Sequence, residues 1–383
     1  MKDLLLITPP FTQLNTPYPA TAYLKGFLNT KNISSYQIDL GIEVILEIFS
    51  KKGVTEIFNV KPKNLSENAH RIFALREEYI KTIDEVIAFL QNKKPTLARQ
   101  ICSMNFLPEA SRFNQLDDME YAFGNMGLQD KAKHLATLYL EDLSDYIVEN
   151  IDENFGFSRY AERLGRSANS FDELYEKLQS DKTFVDNFTL EILDKKLLET
   201  KPKLVCFSVP FPGNLYSAFR CAQYIKNHYP KIKTAFGGGF ANTELRDLKD
   251  KRVFEFFDFI TLDDGELPIE LLFENICHFE QSEESLFKRT FLLENGEVVY
   301  KNNSERHDYK QAEIGTPDYT DLPLDQYISV IEIANPMHSL WSDGRWNKLT
   351  MAHGCYWGKC TFCDISLDYI KIYEPIAAKI LVD

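Results

Sequence analysis

Four short runs constrain what this chain can fold into: residues 3–8 (Asp-Leu-Leu-Leu-Ile-Thr), 203–209 (Lys-Leu-Val-Cys-Phe-Ser-Val), 232–236 and 257–262. The first two are apolar through their middles, without the alternation of a half-exposed strand. They read as strands buried on both faces, the condition of a parallel sheet covered by helices. Residues 35–40 (Ser-Tyr-Gln-Ile-Asp-Leu) read as a further strand, and helical patterns occupy 19–30, 215–228 and 266–277. Strand and helix in alternation predict the α/β class with a doubly wound parallel sheet and right-handed crossovers.

This pattern stops near residue 40 and resumes near 200, so residues 1–40 and 200–280 form one split, Rossmann-like domain. Between them, 41–199 read as a large helical insertion. Apolar positions recur at helical spacing through 69–92 and 131–151, and Ser170 with Glu173 reads as a capping box. Short polar pieces such as Gly124–Gly127 separate the helices. Residues 281–345 read as a hairpin and a linker, with Asn295-Gly296 as the turn. In 346–383, a last strand at 346–353 leads into Cys355 and a helix begins at about 375.

The formal net charge of −14 argues against a nucleic-acid backbone or an anionic membrane surface as the main partner. With 28 Phe and 19 Tyr the chain has ample material for buried cores. Met1 to Pro10 is too short for a span and lacks a cleavage site, so a cytoplasmic protein without a membrane segment is expected.

Cysteine usage is more specific. Seven are present, and an odd number in such a chain does not suit a disulfide framework. Cys102, Cys206, Cys221 and Cys277 stand singly in apolar contexts and read as small core residues. Cys355, Cys360 and Cys363 lie within nine residues, in Gly354-Cys-Tyr-Trp-Gly-Lys-Cys-Thr-Phe-Cys363. Thiolates so close in sequence converge only on a loop, and they bind soft metals. Three thiolates on a cubane cluster leave one iron open to another ligand. The alternative is zinc, with His353 or a remote side chain as fourth ligand, although zinc sites usually pair two Cys-x-x-Cys knuckles and only one is present.

This segment resembles the cluster loop of radical S-adenosylmethionine enzymes, which carry three cysteines, an aromatic residue before the last, and a preceding strand that opens a partial (β/α) barrel. The resemblance implies a 4Fe–4S cluster on Cys355, Cys360 and Cys363, S-adenosylmethionine on the open iron, and Phe362 beside the adenine. It further implies an electron donor such as flavodoxin or ferredoxin, and a 5′-deoxyadenosyl radical that abstracts hydrogen from a substrate the sequence does not identify. The spacing here is Cys-x4-Cys-x2-Cys, one residue longer in the first gap than the family's usual form. Only 20 residues follow Cys363, so the chain is expected to be the amino-terminal part of a longer parent enzyme and inactive by itself.

Residues 1–40 and 200–280 resemble the cobalamin-binding domain that precedes many such barrels. The features in common are Thr8-Pro9-Pro10, Tyr18-Pro19, Asp39, Ser208-Val209-Pro210, Gly237-Gly238-Gly239 and Asp264-Gly265-Glu266, all at carboxyl ends of strands, where such sheets build their ligand crevice. Cobalamin contacts would then fall on Pro9, Pro10, Ser208, Gly237, Gly238 and Gly239. Alternatively the domain keeps only the fold, because fold does not fix function. The acids Asp263, Asp264 and Glu266 suit either a divalent metal or the start of a helix, whose dipole favours them. Trp341, Trp346 and Trp357 bracket the cysteine loop as packing or shielding groups. Two other classes remain open: a non-catalytic zinc- or cluster-bearing interaction protein, and a corrinoid carrier.

Overall fold

The computed structural model describes residues 2–60, 62, 66–103, 105–115, 127–166, 170–277, 285–330, 349–361, 363–364 and 366–379. Five parallel strands form its centre: β1 (Leu4–Thr8), β2 (Ser35–Asp39), β3 (Leu204–Ser208), β4 (Lys233–Gly237) and β5 (Phe259–Thr261). A hairpin of β6 (Thr290–Glu294) and β7 (Glu297–Lys301) continues the same sheet antiparallel to β5. The order is β2-β1-β3-β4-β5-β6-β7, so the direction of winding reverses between β1 and β3. The architecture is therefore the Rossmann-like α/β class that the strand runs predict.

Burial on both faces explains why the runs do not alternate. Leu4, Leu6, Leu204, Cys206 and Ala235 share one core with Phe27, Leu28, Ile269 and Leu272 from helices Ala20–Thr30 and Glu266–Cys277. Leu5, Ile7, Val205, Phe207 and Phe236 belong to the opposite core, under helices Leu40–Ile48, Phe184–Thr200 and Leu215–His228. Each enclosed large side chain contributes about 1.5–3 kcal/mol.

The described residues between β2 and β3 are mainly helical, as expected, but they are not a separate body. Phe58, Tyr79, Tyr139 and Tyr146 pack in the same continuous core as Ile7 and Phe207. Periodicity over 69–92 resolves into two helices, Glu67–Ala74 and Arg76–Leu90, meeting at Leu75. Ser170 bonds the Asp172 amide rather than that of Glu173, so it makes no capping box. The box lies at Thr183 and Asp186, which open helix Phe184–Thr200.

Two connections differ from the reading of the sequence. The hairpin turns at Asn295 (φ 51°) and Gly296 (φ 80°), as Asn-Gly predicts, and it joins the main sheet beside β5 rather than standing outside the split domain. Residues 304–330 are not a free tether either. They run from β7 back to the outer edge of β2, where the Gln37 amide donates to Asp321 and its side chain donates to the Asp318 carbonyl. Lys25 pairs with Asp318 and Asp321, and the Ile328 amide donates to the Leu14 carbonyl.

The strand expected at 346–353 is only Ala352–His353 (β8), and it pairs antiparallel with Glu374–Pro375 (β9). A barrel's first strand needs a parallel partner reached by a crossover. Among the described residues none exists, and the segment closes on its own downstream neighbour. Residues 346–348 and 380–383 lie outside the described residues, as do Gly124, Trp341 and Trp346. Among the described residues no helix is long and apolar enough to cross a membrane.

Candidate functional site

The carboxyl ends of β1, β3, β4 and β5 enclose a crevice of about 210 Å3 at the winding reversal. Leu6, Cys206, Ala235 and Ile269 make its apolar floor; Thr21, Ser208 and Glu266 are among its polar groups. Its floor side chains belong to the core opposite the helical insertion, so that insertion does not cap it. Burial pushes the Cys206 thiol up to about 12, consistent with a core side chain and not a reactive thiolate.

Glycines at this edge meet protein. A Cβ at Gly238 (φ 101°) would stand 2.9 Å from the Val209 amide nitrogen and from its carbonyl oxygen. One at Gly239 would stand 2.8 Å from the Pro210 carbonyl oxygen, and one at Gly237 2.8 Å from Thr261 Oγ1. The triplet thus lets the β4 turn lie against the β3 turn. Pro9 and Pro10 are buried. Asn214 Nδ2 holds their loop by donating to the Pro9 and Phe11 carbonyls, at 2.8 and 2.7 Å. Of the six residues expected to touch cobalamin, only Ser208, Gly237 and Gly238 line the crevice. Its volume is below the ~300–1,000 Å3 of pockets for drug-sized ligands, and a corrin is larger than those. The residues present do not fit that cofactor.

Asp39, at the end of β2, is also structural. It caps helix Leu40–Ile48 and accepts the Tyr327 hydroxyl at 2.8 Å. The acids after β5 divide their work. Asp263 pairs with Arg246 and Arg289, and Asp264 bonds His353 Nε2 at 3.0 Å. Glu266 opens helix Glu266–Cys277, and burial, then Asp264, push its carboxyl up to about 7.

The cysteine segment docks beside this crevice. The Thr350 amide donates to Tyr23 Oη at 2.6 Å, and His353 meets Asp264; both partners line the crevice. That contact with Asp264 holds the His353 imidazole above its ordinary range, outweighing partial burial, which acts the other way. Backbone bonds from Cys355 to Ile370 and from Ile376 to Met351 close the loop. Gly354 (φ 71°) turns where a Cβ would fall 1.9 Å from the Ile372 carbonyl oxygen. Gly358 (φ 56°) aims its N–H at Cys355 Sγ, 3.5 Å away.

All three cysteines are free and half-buried. Desolvation, then Cys360 and Cys355, push the Cys363 thiol up, so the three sulfurs sense one another. Among the described residues no three His, Cys, Asp or Glu side chains converge closely enough to hold a metal ion. The donor chemistry and the loop suit an iron–sulfur cluster; the sulfurs are near neighbours rather than a closed cage. Phe362 lies outside the described residues. Tyr356 and Trp357 are exposed, with Lys359 Nζ 5.6 Å from the Trp357 ring centre. Sequence reasoning missed Tyr23 and Asn214, whose roles arise from contacts across more than 200 residues of chain. Comparison of the chain with protein-family models, with curated proteins and with solved structures finds no match.

Proposed function

We propose that this chain is part of a cytoplasmic radical S-adenosylmethionine enzyme in which Cys355, Cys360 and Cys363 ligate a 4Fe–4S cluster. One observation carries the reading. Three free thiols share a glycine-turned loop whose Gly358 amide already points at Cys355 Sγ, a bond that would tune a ligating sulfur. Such a cluster, when bound, would supply the electron that breaks a carbon–sulfur bond of S-adenosylmethionine, releasing methionine and a 5′-deoxyadenosyl radical.

The chain's own residues hold the loop. Gly354 packs under Ile372, Cys355 is tied through its amide to Ile370, and His353 on Asp264 fixes the loop to the sheet edge. Zinc is the second reading, favoured by one observation: a histidine anchored to a carboxylate is how many metal-binding imidazoles are oriented. Anaerobic reconstitution with iron and sulfide separates the two. The cluster reading expects a brown protein with ~4 iron and ~4 acid-labile sulfide per chain, lost in a Cys355→Ala/Cys360→Ala/Cys363→Ala variant. A colourless protein without sulfide, holding zinc, overturns it.

A further inference from the structure

We propose that the crevice at the β1/β3 reversal binds a small, ring-sized organic ligand that donates hydrogen bonds, held by Thr21, Ser208 and Glu266. The site goes beyond the cluster reading and does not depend on it. One hydroxyl on its wall is buried without a partner. Thr21 is 1% exposed and its Oγ1 has no hydrogen bond among the described residues. Ser208, 8% exposed, lines the same space from the end of β3. A buried hydroxyl left unbonded is costly.

Glu266 supplies the third polar group. Its carboxyl accepts from its own backbone amide, and it faces the same space. With its proton held to about pH 7, it sits poised between donating and accepting a hydrogen bond. A ligand N–H group would draw it to the ionised form.

Size and charge set the ligand class. The crevice holds about 210 Å3, and a dry cavity of about 150 Å3 accepts benzene, so one ring with a substituent fits. No Lys or Arg lines the crevice, whereas Asp263, Asp264 and Glu266 do. Arg246 and Arg289 lie nearby, but both are paired with Asp263. Phosphates and carboxylates are therefore disfavoured, and an amine, amidine or amino-heterocycle is favoured. The position also agrees with the rule that open α/β sheets bind ligands where winding reverses.

The test uses the full chain without iron, so its failure is separate from failure of the cluster reading. The probe is 2-aminopyridine, a ring whose adjacent donors match a carboxylate; toluene is the donor-free comparison. Calorimetry should show 2-aminopyridine binding at millimolar concentration or better, and toluene at least tenfold weaker. Thr21→Val and Ser208→Ala should each weaken the probe about fivefold to tenfold. Ligand-free Thr21→Val should unfold at no lower temperature than the unaltered chain, because its hydroxyl has no partner to lose. Ser208→Ala carries the binding measurement if Thr21→Val does not fold. Absence of probe binding, equal binding of toluene, or a stability loss in a folded Thr21→Val, as from a hydroxyl already satisfied by protein or a resident water, overturns the proposal.

Discussion

Asp39 should make the fold lose stability as pH rises through the mildly acid range. It is 1% exposed, with Oδ1 accepting from the Gly41 and Ile42 amides and Oδ2 from Tyr327. Burial dominates these bonds and pushes its carboxyl from 3.8 up to about 6. The unfolded chain releases this proton first, while the folded protein holds it. The resulting stabilisation is complete below about pH 4 and lost as pH rises through about 6. It amounts to ~3 kcal/mol, of which about 2 kcal/mol falls between pH 4.5 and 7.5. Asp39→Asn keeps the cap oxygen and the contact with Tyr327 but cannot ionise. Urea unfolding of both proteins at pH 4.5 and 7.5 isolates the effect, since Asp142 and Glu266, also raised, cancel between them. The variant should gain about 2 kcal/mol on the unaltered protein between the two pH values. A stability difference that stays constant across that range would refute the argument that burial, and not the cap, governs this carboxyl.

Two further outcomes follow from local geometry. Gly238→Ala, at φ 101° and ψ −174° against Val209, should cost the ligand-free protein about 3 kcal/mol or more in chemical denaturation; unchanged stability would mean the glycine is there for a ligand instead. Arg220 faces Asp186 at 3.0 Å with both side chains buried, so Arg220→Met, which strands the carboxylate, should cost about 3–5 kcal/mol by the same measurement, whereas a cost below ~1 kcal/mol would show the pair to be solvated.

What could be read from the sequence follows physical range. Leu4–Thr8 and Leu204–Ser208 announce themselves because burial on both faces removes polar residues from them. The Asn295-Gly296 turn is legible because few residues tolerate its dihedrals. The role of Gly237-Gly238-Gly239 is not: glycine makes room, and sequence cannot say whether ligand or backbone fills it. Here Val209 and Pro210 fill the space. Residues 304–330 read as a linker because their partners, Lys25, Gln37 and Asp39, lie almost 300 positions earlier and leave no local period. Cys355, Cys360 and Cys363 are visible by spacing alone, whereas the anchoring of their loop on Tyr23 and Asp264 needs the assembled sheet edge.

The return of residues 318–321 to a strand made much earlier bears on how the chain is synthesised. β2 emerges early, yet the groups that cover its outer side arrive some 280 residues later. Until then a growing chain exposes an unsatisfied strand edge able to pair with another molecule. The late segment thus acts as a closing seam: a ribosome-bound intermediate that stalls before it is made would carry every strand of the main sheet and still be prone to associate.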